Sequence, residues 1–256
     1  MDKYKLAFFC KLFDNVTYLL KIEIEIMINK NTKLWHIDAI NIFKNLSYGE
    51  KQQLQEEFET LNYSKKEVIH KSGDTLNKVC FVVSGQVKIV NHSSNKKECI
   101  KRIVNEGDVF GEISSLNASS NLAFTDGVKS MKNNTTILTV SVEYFNAFCA
   151  KNTKIQELVI KNVLMNFKRI DQRLESIMFY NSKDRLIYFI KELAADFGKD
   201  VGHEKLIKHN MTHQEIANLT AISRQKVTTI LNELKKDGTI HLERNSMLVH
   251  DMDLLK

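Results

Sequence analysis

A chain of 256 residues with 43% hydrophobic and 27% charged side chains holds enough apolar material for one large or two modest cores. A net charge of +6 permits nucleic-acid binding without demanding it, and no apolar run approaches the ~20 residues that span a bilayer. The four cysteines, Cys10, Cys80, Cys99 and Cys149, are scattered without a CxxC pair, which argues against a disulfide scaffold or a zinc ribbon and for a reducing cytoplasm.

The first 33 residues form an extension of unassigned role. Leu6 to Phe9 is too short an apolar run for an export signal. Leu19 to Ile28 alternates like a strand, with no evident partner, and Met27 is a candidate translation start.

Residues 34–151 read differently. Segments 68–74, 79–90, 99–112 and 135–145 are short β-type runs punctuated by turn residues, the pattern of an antiparallel jelly roll. Gly73, Gly85, Gly107 and Gly111 fall where such a barrel needs positive φ or close backbone approach. A long helix is expected from Thr153 to Phe179, within a segment spanning 152–181. On it Ile160, Val163, Phe167, Ile170, Leu174 and Ile177 recur at spacings of three and four, a seam suited to a homodimer. The adjacent basic pair Lys168-Arg169 reads as solvated surface.

In residues 182–256 two short helices and a turn are expected between Thr212 and Leu234. Thr212 and Glu215 have capping-box spacing, and Ser223 is placed to cap the second helix. Ala217, Ala221 and Val227 fit the crossing, the turn and the anchor beneath that helix. Arg224, Gln225 and Lys226, followed by Thr228 and Thr229, form the polar face that a reading helix presents to the major groove. Between Lys205 and Lys236 there are six Lys or Arg against two acids, which suits phosphate contact. Thr239 to His250 reads as a hairpin wing.

The sequence from Thr212 through Glu215-Ile-Ala217 to Ser223-Arg224 and Lys226-Val227 resembles the winged helix-turn-helix of the Crp–Fnr regulators. The phrases Lys71-Ser-Gly-Asp74, Val83 to Lys88 and Glu106 to Glu112 resemble the cyclic-nucleotide-binding β-roll of the same family. The resemblance implies an α+β chain: a β-roll (double-stranded β-helix or jelly roll), a long dimerisation helix and a C-terminal winged helix-turn-helix. It implies a homodimeric transcription regulator on palindromic double-stranded DNA, with RNA polymerase as a further partner; from the chain's own residues no membrane association, cofactor or metal is expected. Arg224 would read guanine and Gln225 adenine, while Thr212, Ser223 and Lys226 would hold phosphates. Thr229 stands where some relatives carry a base-contacting arginine, and Ala221 where a turn glycine is usual.

Relatives that bind cyclic AMP open a phosphate cassette with Gly-Glu and close it with Arg-Ser. Gly111-Glu112 matches the opening, but the closing pair falls at Leu122 and Ala123, and the adenine-contacting Thr-Ser pair at Ile170 and Asp171. The resemblance therefore argues against cyclic AMP, and Gly111 and Glu112 read first as fold residues. Lys101 and Arg102 are candidates for another anion. An iron–sulfur sensor would need clustered N-terminal cysteines beyond Cys10, and a haem sensor would rest on His70 or His92 alone. A switch at Cys80, Cys99 or Cys149 stays open beside burial of those thiols in the core. The competing class is a metal-dependent cupin-type enzyme with a helical appendage, but the chain has no H-x-H pair, nucleophile elbow or phosphate loop.

Overall fold

The computed structural model describes residues 33–92, 98–115, 124–243 and 245–255. The alternating segment Leu19 to Ile28, Cys10, Leu122 and Ala123 lie outside them.

Eight strands build two four-stranded antiparallel sheets: β1 (Glu59–Tyr63), β2 (Val68–His70), β3 (Lys78–Ser84), β4 (Gln86–His92), β5 (Glu98–Asn105), β6 (Val109–Phe110), β7 (Gly127–Ser130) and β8 (Thr135–Ser141). One sheet runs β1-β8-β3-β6 and the other β2-β7-β4-β5. Strand β3 shows why the sheets pack as they do. Cys80 and Val82 point between them, among Val87, Ile89, Phe110 and Val128. Val79 and Phe81 point the other way, because successive side chains of a strand leave on opposite faces. That second face is covered by helical residues 33–39, by the single turn Asn41–Phe43, and by α1 (Tyr48–Glu57). After the short α2 (Glu112–Ser115), α3 (Val142–Lys151) completes the cover. Phe81 is its centre, with ring centroids 4.9 Å from Phe43, 5.5 Å from Phe58 and 5.7 Å from Phe145.

Gly73, Gly85, Gly107 and Gly111 all adopt positive φ. At Gly111 the reason is double: φ is +79°, and a Cβ would lie 2.6 Å from the Lys78 carbonyl oxygen.

Helix α4 (Thr153–Phe179) has the limits read from the sequence, and its 27 residues extend about 40 Å. Its first turns are anchored by Ile155 and Val159. Further along, the Arg173 guanidinium donates to the carbonyls of Ile100 and Lys101 at 3.3 and 2.9 Å, tying the helix to the β5 edge.

The remaining chain forms α5 (Ser182–Phe197), β9 (Gly198–Val201), β10 (Glu204–Lys208), α6 (His213–Thr220), α7 (Arg224–Lys236), β11 (Ile240–Glu243) and β12 (Ser246–Val249). The four strands pair in the order β11-β12-β10-β9. This unit shares its core with the β-roll. Val90 and Ile100 of the β2-β7-β4-β5 sheet, with Met131 just after β7, join Leu186, Ile190, Leu219 and Val227 in one apolar cluster.

Candidate functional site

Helix α6 begins at a complete capping box. The Glu215 N–H donates to Thr212 Oγ1 at 3.2 Å, and the Thr212 N–H donates to Glu215 Oε2 at 2.9 Å. The Thr212 hydroxyl also donates to Glu215 Oε2, at 3.1 Å, so this side chain is already committed to the cap. Ala221 closes the helix with φ +54° and ψ +37°, the left-handed conformation that glycine usually supplies. Ser223 Oγ then accepts from the Lys226 N–H at 3.2 Å and starts α7.

The register of α7 separates its two faces. Val227, Ile230, Leu231 and Leu234 are buried against α5 and α6, while Arg224, Gln225, Lys226 and Thr229 are exposed. The two threonines differ in their settings. Thr229 Oγ1 returns its proton to the Gln225 carbonyl at 3.1 Å and remains open to solvent. Thr228 is half-buried: its Oγ1 donates to the Arg224 carbonyl at 3.0 Å and stands 2.9 Å from His213 Nδ1. His213 therefore braces the reading helix from α6, a role that sequence spacing did not single out. The wing is present as β11–β12, turning at Asn245 with φ +67°.

The seam on α4 is open. Phe167 is 68% exposed, Ile170 59% and Leu174 55%, with Ile160 and Ile177 also exposed and Val163 partly covered. A continuous apolar stripe of this length is unlike an ordinary solvated helix face.

Between the β-roll and α4 lies a cavity of about 220 Å³, its apolar wall including Ile89, Phe124, Val163, Phe167 and Ile170, with Lys101, Arg102, Glu112, Asp126 and Asn166 as polar members. Glu112 is only 3% exposed and accepts from Arg102 at 3.2 Å and from Asn166 at 3.3 Å. The second Arg102 nitrogen donates to the Val109 carbonyl at 3.1 Å. Lys101 is held by Asp126 at 2.6 Å. The expectation that Lys101 and Arg102 await another anion is thereby corrected: each already has an internal carboxylate. Ile170 reaches the cavity, whereas Asp171 is exposed outside its lining. Gly111 shapes the turn before Glu112. Arg169, read from sequence as solvated, pairs with Asp196 of α5 at 2.9 Å.

Among the described residues no group of three or more His, Cys, Asp or Glu is arranged to hold a metal. His70 Nε2 lies 2.9 Å from the Asp74 carbonyl, a local turn contact. Burial pushes the thiols of Cys80 and Cys149 up to about 12 and about 11, values that leave little thiolate, while Cys99 is exposed. No described helix is long and apolar enough to cross a membrane.

A double-sheeted β-roll, a long seam-bearing helix and a winged helix-turn-helix together define a DNA-binding transcription regulator, not an enzyme. Residues 60–152 match the cyclic nucleotide-binding domain and residues 184–256 the Crp-like helix-turn-helix domain, and the chain belongs to the Crp/Fnr family. It is 22% identical over 214 residues to a CRP-like cAMP-activated global transcriptional regulator of Mycobacterium tuberculosis, covering 84% of this chain and 94% of that protein. A global nitrogen regulator of Nostoc is 23% identical over 210 residues, 82% of this chain and 91% of the relative. Among solved structures, a CooA variant from Carboxydothermus hydrogenoformans superposes with a TM-score of 0.69 at 23% identity, covering 79% of this chain and 88% of that one.

Proposed function

We propose that this regulator works as a homodimer joined along α4, reads a two-fold symmetric DNA site with two copies of α7, and does so without cyclic AMP. The observation that carries the reading is the presence in one chain of an uncovered apolar seam and an exposed Arg224-Gln225-Lys226 face. A dimer has a functional reason, since two reading helices must meet half-sites one DNA turn apart.

On DNA, Arg224 donates a bidentate pair to guanine O6 and N7, and Gln225 pairs with adenine N6 and N7. Ser223 and Lys226 hold phosphates, with Thr212 supporting them as the cap of α6. Thr229 offers a hydroxyl at the groove, and Thr228 acts mainly by fixing the helix through His213. RNA polymerase is the expected further partner, in the cytoplasm.

The case against cyclic AMP is electrostatic. The one guanidinium in the β-roll cavity is committed to Glu112 and the Val109 carbonyl. The segment 116–123, where relatives place the phosphate-binding arginine, contains no Lys or Arg in its sequence. A cyclic phosphate entering here would lose its water without gaining a charge-assisted bidentate partner.

Selection of DNA from a random pool with purified protein and no added nucleotide tests the whole reading. Enrichment of a symmetric site establishes a cyclic-AMP-independent dimeric reader. Enrichment only after cyclic AMP is added would overturn the electrostatic argument, and enrichment of a single half-site would overturn the dimer.

A further inference from the structure

A second cavity lies outside the β-roll pocket and shares no lining residue with it. It is a polar cleft of about 430 Å³ where the β-roll meets the DNA-binding unit, within the size range of small-molecule sites. From the β-roll come Gln86, Asn105, Asp108 and Lys132, and from the DNA-binding unit Lys208 and Asn210.

Gln86 is 8% exposed. Its amide nitrogen donates to Asn105 Oδ1 at 2.7 Å, while its Oε1 is buried with no hydrogen-bond partner. Buried amide oxygens are rarely left in that state. The charges around it are unevenly spent. Asp196 is satisfied by Arg169, and Glu106 accepts the Gly85 N–H at 2.9 Å. Lys132 and Lys208, one from each side of the cleft, form no ion pair among the described residues. The cleft thus offers two ammonium groups outside any ion pair, and behind its wall one buried acceptor without a partner, which a small turn of the Gln86 side chain would present.

We propose that this cleft is a second effector site, taking a small hydroxylated oxyanion whose charged head lies between Lys132 and Lys208 and whose hydroxyl donates to Gln86 Oε1. Lysine suits a phosphoryl or carboxylate head as a point charge without demanding a fork geometry. Asp108 supplies a further partner for hydroxyl groups. Burial pushes its carboxyl above the usual range, against the lowering pull of the Asn105 backbone and of Arg102 and Arg169. A molecule bound here touches both units and so favours the docked arrangement by its differential affinity for it. The site stands independently of the DNA reading, because binding is measured without DNA.

Isothermal titration of the full-length protein with glucose 6-phosphate and with gluconate, at matched ionic strength, tests the assignment and separates a phosphate from a carboxylate head. Binding of either probe at one site per protomer is expected, weakened by about tenfold or more in Lys132→Ala and in Lys208→Ala. Gln86→Met, which removes the acceptor while keeping the volume, should weaken the hydroxylated probes but leave inorganic phosphate unaffected. Lys65→Ala, an exposed lysine outside the cleft, should change nothing. The proposal is overturned if neither probe binds, if Lys65→Ala weakens binding as much as the cleft variants, or if inorganic phosphate binds as tightly as the hydroxylated probes.

Discussion

The carboxylate of Glu215 serves two domains at once: Oε2 closes the capping box of α6, and Oε1 accepts from Lys88 of β4 at 3.0 Å. Lys88 also reaches Glu98 at 2.7 Å, and Glu98 is shared with Lys129 at 2.8 Å. All four side chains are largely withdrawn from solvent, so the cap of the DNA-binding helix is also its fastening to the β-roll. Lys88→Met removes the central ammonium: Glu98 keeps Lys129, while Glu215 loses its ion-pair partner and keeps only its capping-box bonds. The expected cost is about 1–3 kcal/mol in chemical denaturation, because broken half-buried pairs leave charge uncompensated. Faster amide exchange at the start of α6 should accompany it. An unchanged denaturation midpoint would show that the fastening adds nothing in solution.

The same network sets a pH dependence. Burial pushes the Glu215 carboxyl up, but hydrogen bonds from the Thr212 backbone and from Lys88 overcome it, leaving the group below its ordinary 4.5. Glu98 is likewise lowered, burial being outweighed by Lys129 and Lys88. The stabilisation from these carboxylates is complete above 4.5 and lost as pH falls through their lower folded values. Burial alone would lower the Lys88 amine, yet its bonds to Glu98 and Glu215 raise it above 10.5. Its contribution is present below 10.5 and lost as pH rises through the folded value. The stability gap between the native protein and Lys88→Met should therefore be flat from about pH 6 to about pH 9 and narrow on the acid side. A gap that widens below pH 4.5 would contradict the assignment.

Charge placed in the α4 seam separates the dimer from a merely decorated surface. Phe167→Asp and Leu174→Asp alter side chains that are 68% and 55% exposed in the single chain, so each protomer should still fold. In a paired seam each buries two carboxylates, which should weaken association by roughly 100-fold or more. Sedimentation should report monomers, with affinity for a symmetric DNA site falling in parallel. Full retention of the dimer by both variants would place the interface elsewhere.

Base reading and phosphate holding have separable signatures. Arg224→Ala should cost about 1–3 kcal/mol on the selected site and relax preference at one base pair. Lys226→Ala should weaken binding to all sequences alike and reduce the salt slope by about 1. Gln225→Glu should move the preferred base from adenine toward cytosine on the contacted strand. Unchanged base preference would remove Gln225 from the reading set.

These predictions also mark which features a linear pattern could carry. The limits of α4, the capping box at Thr212, the cap at Ser223 and the glycine turns follow from spacings of a few residues, and the structure has them where the sequence placed them. Lys88 and Glu215 are 127 positions apart, and no local rule brings them together. Arg102 looked available because its carboxylate partner arrives only when β5 and α2 converge. One signal of docking was present but ambiguous. Ile89 and Val90 are consecutive apolar residues of β4, so strand alternation sends one to the β-roll interior and the other to the DNA-binding unit. Read as text, such a pair does not say that its second member has a neighbour.

Ala221 offers the last test, because there the chain departs from what its backbone asks for. Its φ of +54° lies in the left-handed region, where a Cβ crowds the carbonyl and costs about 1–2 kcal/mol relative to glycine. The side chain is exposed, so its removal forfeits little packing. Glycine gives back part of the gain through the freedom it adds to the unfolded chain. Ala221→Gly should therefore stabilise the protein by about 0.5–1 kcal/mol and raise the melting midpoint by roughly 1–4 °C. Lys226 and Arg224 keep their places, since Ser223 still starts α7, so DNA affinity should stay unchanged. A lower midpoint would mean that the turn between α6 and α7 is held by something other than this local conformation.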